Sequence, residues 1–94
     1  MKNLYRQGYR AELRLVHLLR RRPEFHTVFR SAGSRSPFDV VAIGKARILL
    51  CQVKTGRGTF KREREELRRL PLPRYARVEV WLYRRGEWTT FSVK

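Results

Sequence analysis

The sequence predicts an α/β domain in which a central mixed sheet of five strands is flanked by helices, in the order α-β-β-β-α-β-β. Three observations carry this. Apolar residues step at helical spacing near the start of the chain and again near residues 60–70. Short apolar runs with strand character lie between and after those stretches. Clusters of Gly, Pro and Ser separate them. A chain of 94 residues is the size of one domain, expected to span 1–94 without repeats or linkers.

The first helix is expected from about Asn3 to Arg22. Leu4, Gly8, Ala11, Leu15 and Leu19 fall on one face, arginines occupy the other, and Pro23 stops it. Phe25 to Arg30 is expected as a strand with Phe25, Thr27 and Phe29 on one face. Ser31 to Pro37 is a loop of small residues. Phe38–Ile43 and Ala46–Lys54 form a hairpin turning at Gly44-Lys45. The run Ile48-Leu49-Leu50-Cys51 marks a central strand covered on both faces. A second helix is expected over Phe60–Leu70, with Thr59 as its N-cap and Pro71 after its end. Val78–Tyr83 and Trp88–Val93 form a last hairpin across Arg84-Arg85-Gly86-Glu87.

Charge decides the partner class. Twenty-three Lys and Arg face eight Asp and Glu, for a formal net charge of +15. So large an excess repels itself unless it meets a polyanion, and nucleic acid is the matching partner. An arginine-rich thermophile surface usually balances its cations with Glu, and this one does not. An anionic membrane fits less well, since no basic helix has a purely apolar opposite face. The single Cys51 excludes an internal disulfide framework and a multi-cysteine zinc site. The polar, basic N-terminus lacks the apolar core of a signal peptide, and no apolar run has transmembrane length, so a cytoplasmic setting is expected.

Four polar residues interrupt apolar patterns. Glu12 lies near the buried face of the first helix, Asp39 opens an apolar strand, and Gln52 and Lys54 end the central one. Strand alternation puts Gln52 and Lys54 on one face, and hairpin pairing brings Asp39 alongside them. Such a group suits metal-assisted phosphodiester hydrolysis. Mg2+, for which Mn2+ can substitute, takes hard oxygen ligands, here Asp39, Glu12, the Gln52 amide and the Val53 carbonyl. A bound metal makes hydroxide available near neutral pH, and Lys54 stabilises charge on phosphate. Each residue also has a plain structural reading: Asp39 as a turn cap, Lys54 as a strand-end lysine, Gln52 as an exposed strand residue, and Glu12 as a salt-bridge partner of Arg10 or Arg14. Cys51 reads as core rather than nucleophile, and Trp81 and Trp88 as core or interface.

In order along the chain stand Gln7-Gly8-Tyr9-Arg10-Ala11-Glu12, Arg30-Ser31-Ala32-Gly33-Ser34, Phe38-Asp39-Val40-Val41-Ala42 and Gln52-Val53-Lys54. This series resembles the archaeal-type Holliday junction resolvases of the PD-(D/E)xK nuclease superfamily over about residues 5–55, most specifically in Arg-Ser-Ala-Gly-Ser. The resemblance implies a restriction-endonuclease-like core, a homodimer and paired nicks across a four-way DNA junction. It places Glu12, Asp39 and Lys54 in the family's catalytic positions and Ser34 in its junction-sensing loop. Gln52 stands where the family usually has Glu, so the site has one negative charge fewer and should bind metal more weakly. Contacts to DNA are expected from Arg6, Arg10, Arg30, Ser31, Ser34, Arg35, Arg57 and Lys61.

Two other functions stay open on the sequence. One is a non-catalytic basic module that binds nucleic acid, with Gln52 marking a decayed site. The other is a restriction- or repair-type endonuclease acting on linear DNA. No small-molecule cofactor and no membrane partner are expected. Abundant arginine with few Asn and Gln fits a thermophilic host or its bacteriophage.

Overall fold

A computed structural model describes residues 4–31 and 36–94, with residues 4–7 described by their backbone alone. The elements are α1 (Leu4–Arg20), β1 (Phe25–Arg30), β2 (Val40–Gly44), β3 (Ile48–Thr55), α2 (Lys61–Arg68), β4 (Ala76–Arg84) and β5 (Glu87–Ser92). Their order matches the α-β-β-β-α-β-β expectation.

The five strands form one sheet in sequence order, β1-β2-β3-β4-β5. β1, β2 and β3 are antiparallel neighbours, as are β4 and β5, and the central β3·β4 pair is parallel. The sheet is therefore mixed. The parallel pair requires a crossover, and α2 lies within it.

Each face of the sheet carries one helix. Ala11, Leu15, Val16 and Leu19 of α1 pack on Phe25, Val28, Val40, Ala42, Leu49, Cys51, Val53 and Trp81. On the other face Leu67 of α2 packs with Phe38, Val78, Val80, Leu82 and Val93. The alternation along β3 follows: Leu49, Cys51 and Val53 point to α1, and Leu50 to the α2 face. Burial pushes the Cys51 thiol strongly up, so it stays protonated as part of the core.

Several local expectations change. β1 does not present Phe25, Thr27 and Phe29 on one face. The pairing with β2 shifts between Phe25 and Thr27, and this bulge turns Phe25 and Val28 inward and leaves Thr27 and Phe29 exposed. The β2–β3 turn falls one residue later, on Lys45-Ala46, closed by the Gly44 N–H donating to the Arg47 carbonyl at 2.8 Å. A Cβ on Gly44 would stand 2.6 Å from the Glu24 carbonyl oxygen, so glycine is needed there for close approach. Thr59 is not the cap of α2. The N-cap is Phe60, in the left-handed region at φ 53, ψ 41, with no side-chain cap bond. The last hairpin turns on Arg85-Gly86, both at positive φ, which is the type I′ turn whose twist suits two-residue loops.

The large apolar side chains of the α2 region and of the last hairpin are mostly covered within one chain. Leu67 and Trp81 are buried, and Phe60, Leu70 and Trp88 are half-buried. Among the described residues the exposed large hydrophobics are Tyr9, Phe29 and Tyr75. No helix among the described residues is long and apolar enough to cross a membrane.

Candidate active site

The site is assembled where β2 begins and β3 ends. Asp39 stands one residue before β2 and is clamped by its backbone: its N–H donates to the Cys51 carbonyl at 2.8 Å, and its carbonyl accepts from the Ser31 N–H at 3.0 Å. Its side chain turns to β3, where Oδ2 accepts the Val53 N–H at 2.8 Å. β2 has no strand residue opposite Val53, so the carboxylate satisfies a ladder donor that would otherwise lack a partner. In an antiparallel ladder a residue's N–H and C=O project to the same side, so the Val53 carbonyl also leaves β3 towards Asp39.

Glu12 reaches the site from α1. Its Oε1 accepts a hydrogen bond from Arg30 Nη1 at 3.1 Å, an ion pair with both side chains mostly covered. The Arg30 guanidinium also lies 4.4 Å from the centre of the Tyr9 ring. Arg30, rather than Arg10 or Arg14, is thus the partner of Glu12.

Both carboxyls are pushed above their ordinary range. For Glu12, burial raises the pKa most, the Arg30 hydrogen bond opposes it, and the negative charge of Asp39 raises it further. For Asp39, burial raises the pKa, while the Val53 N–H and the charges of Lys54 and Arg30 lower it. Asp39 is thus the common electrostatic neighbour of Glu12, Arg30 and Lys54. Lys54 is half-buried, and its ammonium lies 5.3 Å from the centre of the Phe60 ring.

Gln52 is placed differently. Its amide Nε2 donates to the Pro37 carbonyl at 3.2 Å, and it lines a crevice with Pro37, Glu63, Glu66, Leu67 and Leu70. Its Oε1 is buried and has no hydrogen-bond partner among the described residues. Glu63 and Glu66 were not singled out by the sequence; Glu63 is half-buried, while Glu66 is exposed and pairs with Arg62.

These residues fit a hard divalent cation. Two half-buried carboxylates resist ionisation here and would gain from a nearby positive charge. One amide oxygen, that of Gln52, is orphaned in a buried position on the α2 side of β3, and the Val53 carbonyl leaves the strand edge towards Asp39. Protein groups of this kind, completed by water and phosphate, are what Mg2+ takes. No group of three or more His, Cys, Asp or Glu side chains able to hold a metal occurs among the described residues, so the donor set rests on two carboxylates plus neutral oxygens.

No protein-family model and no curated protein matches the chain. Among solved structures it is similar to Hjc of Archaeoglobus fulgidus, a Holliday junction resolvase from an archaeal hyperthermophile. The two share 28% sequence identity at a TM-score of 0.69, over 93% of this chain and 73% of that one. The fold is that of the archaeal-type Holliday junction resolvases.

Within this resolvase fold the residues expected to touch DNA fall into three groups. Arg10, Arg57 and Lys61 are exposed. Arg30 and Ser31 have partners in the chain: Arg30 holds Glu12, and the Ser31 hydroxyl donates to the Phe38 carbonyl. Ser34, Arg35 and the side chain of Arg6 lie outside the described residues. The contact of Phe60 with Lys54 was also not anticipated, because Phe60 reads as an apolar residue of α2 and its backbone conformation carries no sequence signal.

Proposed function

We propose that this protein is a structure-selective DNA endonuclease that resolves four-way junctions by metal-dependent phosphodiester hydrolysis. The observation that carries the reading is the bond from the Val53 N–H to Asp39 Oδ2, made in a resolvase fold. It fixes a carboxylate at the end of the strand that bears Lys54, within the field of Glu12. Arginine excess supplies the attraction to a polyanion.

Asp39 and Glu12 would hold Mg2+ or Mn2+, with the Val53 carbonyl and Gln52 Oε1 as neutral donors. A bound divalent ion supplies Lewis acidity towards phosphate and lowers the pKa of water. The chain's own residues do the rest. Asp39 is orientated by the Val53 N–H. Lys54 brings a positive charge to the phosphate oxygens as negative charge grows on them. The Arg30 hydrogen bond favours the ionised form of Glu12 against the burial that raises its pKa.

A four-way junction has two equivalent strands to cut, and a two-fold dimer offers two equivalent sites, so the active form is a homodimer. Sedimentation equilibrium without DNA should give the dimer mass. A monomer mass at micromolar concentration would leave a nicking enzyme.

The deciding experiment compares cleavage of a four-way junction with cleavage of linear duplexes of the same sequences, with and without Mg2+. Cleavage of the junction in Mg2+ alone is expected. Equal cutting of linear duplex would make this a repair- or restriction-type nuclease. A second reading, a non-catalytic basic module, draws support from the neutral Gln52 and the Arg30–Glu12 pair. It predicts junction binding with no cutting in either metal.

A further inference from the structure

Phe60 occupies a backbone conformation that a bulky residue rarely adopts, φ 53 and ψ 41, at the entry to α2. Glycine is the residue this φ favours, so the ring rather than the backbone accounts for an aromatic residue here. The chain around it is fastened. Arg84 donates from Nη2 to the Gly58 carbonyl, and Arg64 donates from Nε to the Thr59 carbonyl at 3.0 Å. Gly56 and Gly58 also sit at positive φ, so the connection from β3 to α2 is a specific path rather than a slack one. That path delivers the Phe60 ring to the Lys54 ammonium, 5.3 Å from ring centre to nitrogen.

We propose that Phe60 is a positioning residue for Lys54: its ring holds the ammonium at the end of β3. A lysine carries four flexible methylenes and many rotamers, and a cation over an aromatic face is attracted by the ring quadrupole. Held so, Lys54 meets the phosphate already placed, and its charge falls on Asp39 in the free protein. The competing account is that Phe60 only fills the α2 face of the core, against which it packs half-buried. The two accounts differ in what Leu does at this position. Leu preserves the apolar filling and removes the ring.

The proposal rests on the nuclease reading for its catalytic consequence, so its test has two readouts. The first is single-turnover cleavage of a four-way junction at saturating Mg2+, with junction affinity and thermal stability measured alongside. Phe60→Leu should cut about three- to tenfold more slowly, the size of a lost cation–π contact, with affinity held within about twofold. Phe60→Tyr, which keeps the ring, should recover the wild-type rate. The second readout is the NMR shift of the Lys54 ε-methylene protons, assigned by their loss in Lys54→Arg. Ring current should displace them in the wild type and in Phe60→Tyr but not in Phe60→Leu.

A wild-type rate in Phe60→Leu, or a Phe60→Tyr as slow as Phe60→Leu, overturns the proposal. If either variant is unstable, the wild-type spectrum decides alone, and undisplaced methylene protons overturn it. If the protein cuts no DNA at all, the proposed function fails, while methylene protons that follow the ring still support the placement of Lys54 by Phe60.

Discussion

Arg30 Nη1 donates to Glu12 Oε1 at 3.1 Å while the same guanidinium covers the Tyr9 ring at 4.4 Å. One cation thus joins β1 to α1 beside Asp39. The pair is partly buried, so solvent screens it less than a surface ion pair. Removing Arg30 leaves a carboxylate in a setting that already disfavours its charge.

A double-mutant cycle with Arg30→Gln and Glu12→Gln should show a coupling of about 0.5–2 kcal/mol at neutral pH, read by denaturant unfolding. The coupling should shrink in acid, where Glu12 is protonated. Independent, additive effects of the two substitutions would show that the contact contributes nothing to stability.

Asp39→Asn separates stability from catalysis. The carboxyl's pKa in the fold lies above its ordinary value, so folding binds the proton more tightly than the unfolded chain does. The sign follows: stability is highest with Asp39 protonated and falls as pH rises through the raised pKa. Asn can still accept the Val53 N–H through its own oxygen. In chelator, Asp39→Asn should therefore raise the melting temperature at pH 7 and lose that gain near about pH 3, where both side chains are neutral. Cleavage should fall by more than about a hundredfold, beyond what changes around the outer sphere of a metal cost. Junction affinity should hold or tighten as repulsion from phosphate is removed. A variant that cuts near the wild-type rate would remove Asp39 from the metal set.

Gln52→Glu tests whether the orphaned amide oxygen serves the metal. A carboxylate there should lower the Mg2+ concentration for half-maximal cleavage by about three- to tenfold. It adds a negative charge near Glu63 and Glu66, so without metal the melting temperature should fall. A metal requirement that rises or stays put would mean that Gln52 serves only to hold Pro37.

Salt distinguishes shape from charge. Affinity for any duplex should fall steeply with ionic strength, with a slope of about 0.9 per phosphate contact on logarithmic axes. Preference for the junction over duplex should persist as salt rises. Affinities that converge at moderate salt would favour the basic-module reading.

The sheet was largely legible because its strands are short, apolar and punctuated. The run Ile48-Leu49-Leu50-Cys51 reads as central and is central. The approach of Asp39 to the end of β3 follows from hairpin pairing, which depends only on strand period and turn length. Failures occur where one residue breaks that period. The bulge after Phe25 inverts the face of Thr27 and Phe29, and no Gly or Pro marks it. The left-handed Phe60 replaces a polar cap at Thr59 that local propensity favours. The partner of Glu12 was also hidden, since Arg10 and Arg14 are its helix neighbours while Arg30 reaches it only across the α1–β1 packing.

The parallel β3·β4 pair has a consequence for how the molecule assembles. β2 joins β3, and β4 joins β5, through two-residue turns, but β3 and β4 join only after the chain from Thr55 to Ala76 has closed. Loop closure must precede that non-local contact, so docking of the two halves is expected to be the slow step in folding. Trp81 belongs to the second half and is buried among α1 residues of the first. Its fluorescence should therefore change with the slow phase, while backbone signals of the early hairpins develop ahead of it.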